Sequence, residues 1–294
     1  MRACGVIYDS LIGPFAEFEF MRRALIGALA LSLSGAPIGV FLILRRMALT
    51  GDAMAHAILP GAALGYLVAG LSLPAMTLGG LAAGLIVAVA AALAARLTIL
   101  REDATLAAFY LMSLALGVTI VSLRGSNVDL LRVLFGSVLG LDDATLLLLA
   151  GISSLTLMAI AALYRPLVLE TVDPGFFASV SRFAGATQAA FLALVVVNLV
   201  AGFHALGTLM SVGIMMLPAA AARLWARTLP MMLALSVGFA AAASYAGLIV
   251  SYHAGLPSGP LIILMAGGLY LVSLVLGRAG GVLRGRAPRS HLEA

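Results

Sequence analysis

The chain has 294 residues, of which 63% are hydrophobic and only 10% are charged. Because a soluble domain carries about 25% charged residues, this composition excludes an ordinary soluble protein and indicates a polytopic membrane protein. The formal net charge is +5 and all 17 basic residues are arginine. We interpret them as loop arginines near the membrane surface and predict no nucleic-acid binding.

The start of the chain and its cysteine content narrow the class further. Cys4 is the single cysteine, which excludes an intrachain disulfide and a thiolate metal cluster. Residues 1–20 contain Glu17 and Glu19 and lack a basic region ahead of a short apolar run. We therefore predict no cleavable signal and expect the first long apolar segment to be an uncleaved anchor.

Nine apolar segments follow, several of them long enough to span a bilayer core of about 30 Å. Backbone groups cannot stay unpaired in lipid, so we predict that all nine are helices and that the fold is all-α. The segments are about 21–44, 48–71, 74–95, 105–123, 143–164, 184–202, 205–222, 229–252 and 259–277. Gly61 and Gly65, like Gly80 and Gly84, have the four-residue spacing that lets helices pack closely.

The arginines predict the orientation, because cytoplasmic loops of membrane proteins are enriched in basic residues. With nine crossings and the N-terminus outside, twelve of the 17 arginines fall on the cytoplasmic side. We predict an extracytoplasmic segment 1–20, a transmembrane domain 21–278 and a cytoplasmic tail 279–294 in the inner (cytoplasmic) membrane. Residues 127–143 could form a loop, a half-helix or a re-entrant turn, which leaves eight or ten crossings as alternatives.

Asp52 and His56 stand out in the second segment, RRMALTGDAMAHAILPGAALG, because ionisable groups are rare inside apolar helices. Their spacing of four places both on one helix face, with the imidazole about 15 Å from the inner interface. A carboxylate at such depth costs about 2.5–3.5 kcal/mol, so it must face protein, water or an ion. Oxygen and nitrogen donors suit Mn, Fe or Zn, and a symmetric dimer would supply two of each. A helix-packing Asp–His hydrogen bond and a proton relay are the alternatives.

Four other residues in the apolar segments are weaker candidates for a role in function. Pro60 lacks the N–H that would bond the His56 carbonyl, so we predict a helix bend there. His204 and His253 fall near the outer ends of the seventh and eighth segments, where they would line an entrance or rest at the interface. Asn198, inside VVVNLV, would either line the pathway or bond a neighbouring helix.

The connection YRPLVLETVDPGFFASVSR is charged but is predicted to be structured. Asp173 can cap a helix that begins at Pro174, since proline suits the first helical position. This helix, about 172–181, would be short and would expose Phe176 and Phe177. The two rings would either fill a groove in a cytoplasmic partner or rest on the membrane interface.

Motifs of several enzyme classes are absent from the sequence. The chain has no lysine, hence no P-loop, and cannot hydrolyse ATP by that route on its own. It also lacks the H-E-x-x-H motif of zinc proteases and the G-x-S-x-G nucleophile elbow. No motif therefore favours a membrane enzyme, and we predict no catalytic residues.

Three stretches resemble the membrane permeases of ABC-type manganese, zinc and iron importers. RRMALTGDAMAHAILPGAALG resembles that family's second-helix signature. LGTLMSVGIMMLPAAAARLWA (206–226) resembles its later Gly…Leu-Pro-Ala-Ala stretch, and GLPSGPLIIL (255–264) its final outer loop and last helix. Ala55 departs from the family pattern, in which serine usually precedes the histidine, and the change could alter a hydrogen bond behind the ligands.

The resemblance implies a homodimer that moves Mn, Zn or Fe, sits on two cytoplasmic ATP-binding subunits and receives metal from an extracytoplasmic binding protein. It implies that Asp52 and His56 are the metal ligands and that VDPGFFASV (172–180) is the coupling helix. It also implies that no cofactor is tightly bound and that only the partner subunit binds ATP. A proton-coupled secondary metal transporter and an ABC permease for an iron chelate or a cobalamin-like cofactor are the alternatives.

Overall fold

The computed structural model describes residues 11–70, 72–97, 102–123 and 140–283, and every regular element in these ranges is a helix. The helices are α1 (Gly13–Glu17), α2 (Glu19–Leu44), α3 (Ala48–Ala57), α4 (Leu59–Ala69), α5 (Leu73–Leu97), α6 (Glu102–Leu123), α7 (Asp143–Val172), α8 (Pro174–Val180), α9 (Ala184–Leu206), α10 (Thr208–Arg223), α11 (Leu229–Ala254) and α12 (Ser258–Leu276).

Each of the nine predicted apolar segments corresponds to one or more of these helices, which confirms the all-α prediction. Among the residues that the structure describes, seven helical stretches are long and apolar enough to cross a membrane, with α3 and α4 together forming one of them, Ala48–Ala69. Two shorter apolar stretches, Ala104–Gly117 in α6 and Thr208–Arg223, accompany them. The number of crossings, their orientation and the terminal boundaries stay predictions. Most of 127–143 lies outside the described residues.

Local sequence signals explain where several helices begin and end. Asp142 caps α7, because its carboxylate accepts a hydrogen bond of 3.0 Å from the N–H of Thr145. Hydrogen bonds with Thr145 hold the pKa of the Asp142 carboxyl below its usual range. Gly207 and Gly255 end α9 and α11 with φ angles of 85° and 64°, which side-chain-bearing residues rarely adopt.

The helix at the centre of the fold is α2. In its most apolar stretch 72% of the residues are buried, against 22% in α7 and 28% in α5 and α12. It packs against α7, α10 and α11, and its middle reads SGAPIGV. Small residues allow close approach, since a Cβ on Gly39 would collide with the backbone carbonyl of Met215 in α10. Thus α2 is the helix on which α7, α10 and α11 pack.

Glycines pack α4 directly against α5. A Cβ on Gly61 would collide with the carbonyl of Gly79, and a Cβ on Gly65 would collide with the carbonyl of Ala75. The backbones of the two helices are therefore in contact, and this contact fixes α4 relative to α5.

The fifth apolar segment is longer than the sequence predicted. Helix α7 continues through Pro166 to Val172, whereas the apolar pattern ended near residue 164. Leu167 in this extension is fully buried and Glu170 forms a buried ion pair. These tertiary contacts offset the hydrogen bond that the proline removes.

Candidate functional site

A tight turn after α2 sets the direction of α3. Arg46 has a φ angle of 59°, a left-handed conformation that is uncommon for a residue with a side chain. The N–H of Met47 donates to the carbonyl of Leu42 at 2.8 Å, a bond typical of helix C-termini. Helix α3, which follows at once, carries Asp52 and His56.

An ion pair anchors this turn. Nη2 of Arg45 lies 2.7 Å from Oε2 of Glu170 in α7, and the two side chains are only 7% and 12% exposed. The guanidinium also lies 4.4 Å from the ring centre of Phe191 in α9, a cation–π distance. The pair joins the start of α3 to the end of α7, and Glu170 lies three residues before Asp173. Sequence reasoning treated Arg45 as a loop arginine and missed this partner.

Asp52 and His56 lie on the same face of α3, and this face is open in the single chain. Oδ1 of Asp52 is 3.8 Å from Nε2 of His56, and the side chains are 62% and 31% exposed. Leu49, one turn earlier on this face, is 79% exposed. The distance is too long for a hydrogen bond, so the chain does not form the helix-packing Asp–His bond that was one alternative.

The buried side of the His56 imidazole faces α6. Its Nδ1 is buried and has no hydrogen-bond partner among the described residues. The ring stacks on Tyr110, with centroids 6.3 Å apart and an angle of 29° between planes. Close by, Oγ of Ser113 donates to the carbonyl of Ala57 at 3.0 Å. Sequence reasoning did not identify either α6 residue, because Ser113 and Ala57 are 56 positions apart.

The helix is interrupted just after the pair. Helix α3 ends at Ala57, α4 begins at Leu59, and Pro60 lies in the first turn of α4. The N–H of Ile58 still bonds the carbonyl of Met54 at 3.2 Å, and Ile58 has helical φ and ψ angles of −73° and −29°, so α3 and α4 form a nearly continuous span. The bend at Pro60 stays a prediction.

The weaker candidates lie apart from this pair. Asn198 in α9 is buried, and its Nδ2 donates to Oγ1 of Thr156 in α7 at 2.7 Å. His253 is at the end of α11 and packs edge-on against Tyr252, with ring centroids 5.3 Å apart. The side chain of His204 lies outside the described part of the chain.

Within the described ranges, no three His, Cys, Asp or Glu side chains come together. At the face of α3 the chain therefore offers two donors, a carboxylate and an imidazole. A transition-metal dication commonly takes four or more ligands, so a single chain leaves its shell incomplete.

Helix α8 begins at Pro174, shortly after Glu170 of the ion pair. Oδ1 of Asp173 accepts a hydrogen bond of 2.8 Å from the N–H of Phe176, and Pro174 is the first helical residue. The Phe176 ring is 57% exposed, but Phe177 is only 6% exposed. The expectation that both would be exposed is wrong for Phe177, because α8 rests one side on α7 and α9.

Comparison with known proteins decides the family. The profile of the ABC 3 transport family matches residues 17–277. The chain belongs to the ABC 3 transport family. This confirms the resemblance seen in the sequence and the prediction of a multi-pass protein of the cytoplasmic membrane, of the ABC permease class.

Several members are similar to this chain over nearly its whole length. The manganese import system permease protein ScaB of Streptococcus parasanguinis is 31% identical over 266 residues, 90% of this chain and 93% of ScaB. The manganese transport system membrane protein MntC of Halalkalibacterium halodurans is 30% identical over 277 residues, 94% of this chain and 92% of MntC. The solved structure of PsaBC from Streptococcus pneumoniae in complex with Fab has a TM-score of 0.77 and 29% identity, covering 92% of this chain and 96% of that chain.

The buried ion pair predicts a specific pattern of stability. Glu170→Met leaves the Arg45 guanidinium buried without its carboxylate and is expected to lower the free energy of unfolding by about 3–5 kcal/mol. The double variant Arg45→Met/Glu170→Met removes both charges and is expected to recover most of this loss. Thermal unfolding in detergent, followed by circular dichroism, measures both.

The matched control is Glu19→Met, which breaks an ion pair with Arg23 in which the glutamate is 66% exposed. Surface pairs contribute about 0–1 kcal/mol, so this variant is expected to unfold almost as the native chain does. An equal loss in the single Glu170 variant and the double variant would contradict the role of the buried pair.

Proposed function

We propose that this chain is the permease subunit of an importer that moves Mn²⁺ across the cytoplasmic membrane, with ATP hydrolysed by separate subunits. The observation that carries the proposal is the Asp52–His56 pair on the open face of an apolar helix. The similarity to manganese permeases over 90% of the chain or more supports it.

The open face of α3 favours a homodimer. A carboxylate that faced lipid at this depth would cost about 2.5–3.5 kcal/mol, so Asp52 requires protein, water or an ion beside it. A second copy related by a two-fold axis along α3 would bring its own Asp52 and His56 to the same place. Two carboxylates and two imidazoles would then form a four-donor site that neither chain holds alone.

This donor set suits Mn²⁺. Two carboxylates neutralise the charge of the dication, two imidazoles add nitrogen ligands, and water can complete the shell. Fe²⁺ and Zn²⁺ bind the same donors, and we favour Mn²⁺ because the similar permeases carry manganese in their names. Mn²⁺ is also the most weakly held of these ions at a given site, which suits a site that must release its ion.

Energy for transport would enter through α8. The exposed Phe176 would contact a cytoplasmic ATP-binding subunit, while the buried Phe177 would anchor the helix to its own chain. The Arg45–Glu170 pair connects the end of α7, next to α8, with the start of α3. An extracytoplasmic binding protein would first deliver the ion. Movement of α8 would then be transmitted to the metal site and open it to one side of the membrane at a time.

The first prediction that follows from this proposal concerns the proposed metal ligands. Asp52→Asn and His56→Ala are each expected to lower ATP-dependent Mn²⁺ uptake into proteoliposomes by about tenfold or more. The reason is that a contact to a charged group contributes about 1.5–3 kcal/mol. The control is Asp143→Asn, which alters a carboxylate that is 79% exposed at the start of α7.

Native uptake in either ligand variant, with native folding, would refute the site. Uptake that needs a proton gradient and no ATP would instead support the proton-coupled transporter, which would use the same two side chains.

The second prediction concerns the coupling surface. Phe176→Ala is expected to reduce co-purification of the ATP-binding subunits while the melting temperature of the permease stays native, because this ring is exposed. Its neighbour Phe177→Ala serves as the matched variant and is expected to destabilise the chain by about 3–5 kcal/mol, as loss of a buried phenylalanine does. Native assembly of Phe176→Ala with its partner would argue against coupling through α8.

The third prediction concerns the dimer axis. In a Cys4→Ser background, Leu49→Cys is expected to form a disulfide-linked dimer on oxidation in membranes, because Leu49 lies on the same face as Asp52. Leu147→Cys in α7, whose native side chain is 74% exposed, is the control and is expected to remain monomeric. Cross-linking at position 147 and none at position 49 would place the axis elsewhere.

A further inference from the structure

One face of α6 contacts α3 at the place where α3 ends and α4 begins. Tyr110, Ser113 and Gly117 have spacings of three and four residues, so they lie along one side of α6. They contact in turn the His56 ring, the Ala57 carbonyl and Pro60. Three contacts from one helix face thus meet the short stretch from His56 to Pro60, where α3 ends and α4 begins.

The hydroxyl of Ser113 holds the backbone that follows His56. Hydroxyl groups in the described helices mostly donate to a carbonyl three or four residues earlier in their own helix, as those of Ser32, Thr171 and Ser273 do. Ser113 instead donates across to the carbonyl of Ala57 at 3.0 Å. This carbonyl lies next to the break, where the regular helical pattern is interrupted, and the bond fixes the peptide that joins His56 to the turn.

Gly117 allows α6 to approach the proline. A Cβ at this position would lie 3.2 Å from both Cα and N of Pro60, tighter than an ordinary contact. The missing side chain therefore sets how near α6 lies to the break. With alanine here, Pro60 or α6 must move by a few tenths of an ångström.

Tyr110 takes the place of a hydrogen bond in orienting the imidazole. A metal-binding histidine is usually oriented by a bond from its second ring nitrogen to a carboxylate, a carbonyl or water. Nε2 of His56 faces Asp52, and its buried Nδ1 has no partner among the described residues. The ring plane must then be set by packing, and the stacked Tyr110 ring is the contact that sets it.

We infer that this face of α6 positions the metal ligand: Tyr110 sets the plane of the His56 ring, and Ser113 and Gly117 fix the backbone that carries it. The inference rests on the proposed function, because it concerns the affinity and geometry of the same site. None of the three residues is a ligand. Each acts on the metal through His56, so their loss changes how the ion is held and leaves the set of donors intact.

The test uses the purified full-length homodimer in detergent with the metal alone. Mn²⁺ affinity is measured by titration, and the visible absorption spectrum of bound Co²⁺ reports the geometry of the site. Ser113→Ala and Tyr110→Leu are expected to weaken Mn²⁺ binding by about ten- to hundredfold and to alter the Co²⁺ spectrum, as loss of groups that orient a ligand does. Tyr110→Phe keeps the stacked ring and is expected to keep native affinity and spectrum.

Two matched controls separate positioning from general damage to the helices. Thr119→Val removes a hydroxyl from α6 that bonds only the Ala115 carbonyl of its own helix, and it is expected to bind Mn²⁺ natively. Gly117→Ala is compared with Gly151→Ala, where a Cβ would meet no atom within 4 Å. Only Gly117→Ala is expected to change the Co²⁺ spectrum. Ser113→Ala removes a single oxygen and is expected to fold, so the test does not depend on the larger substitution at Tyr110.

His56→Ala keeps this test distinct from that of the proposed function. If native protein binds Mn²⁺ no better than His56→Ala does, the proposed function fails. If His56→Ala loses the ion while Ser113→Ala and Tyr110→Leu bind it with native affinity and spectrum, the positioning inference fails and the site stands.

Discussion

A carboxylate on the outward face of an apolar helix constrains everything around it. Asp52 is 62% exposed in the single chain, on a span that would otherwise face lipid. His56, 3.8 Å away, provides a polar neighbour. Protein, water or a cation beside Asp52 removes the cost of this charge, and the proposed dimeric metal pathway would supply them.

The side of α3 turned away from this open face is packed closely. Helices α6, α9 and α10 back it, and its buried residues Met54 and Ala57 lie in the main apolar cluster. Close packing continues from α10 to α2, whose small residues let the two backbones approach until they touch at Gly39 and Met215. Because such interiors are close-packed, α3 has little freedom to shift by itself. Its position follows from that of the helices behind it.

The sequence predicted those features that depend on neighbours within a few residues. Apolar runs had to be helices because lipid offers no partner for backbone groups, and a spacing of four had to put Asp52 and His56 on one face. What it could not predict depends on distant pairs. Arg45 and Glu170 are 125 positions apart, and neither charge indicates its partner from composition or spacing. The same limit explains Phe177, whose burial is decided by α7 and α9 and not by its own short helix.

Helix α3 is held at both ends. It has 10 residues and so is about 15 Å long, too short to bend appreciably. Its start is held by the Arg45–Glu170 pair, a directional contact of 2.7 Å. A non-directional apolar contact would instead allow the two elements to slide past each other. Its end is fixed by the bond from Ser113 and by Pro60, beyond which α4 is locked to α5 backbone to backbone. In the proposed coupling, a displacement at the α8 end would not be absorbed within α3, and it would turn the helix about the break and move Asp52 and His56 together.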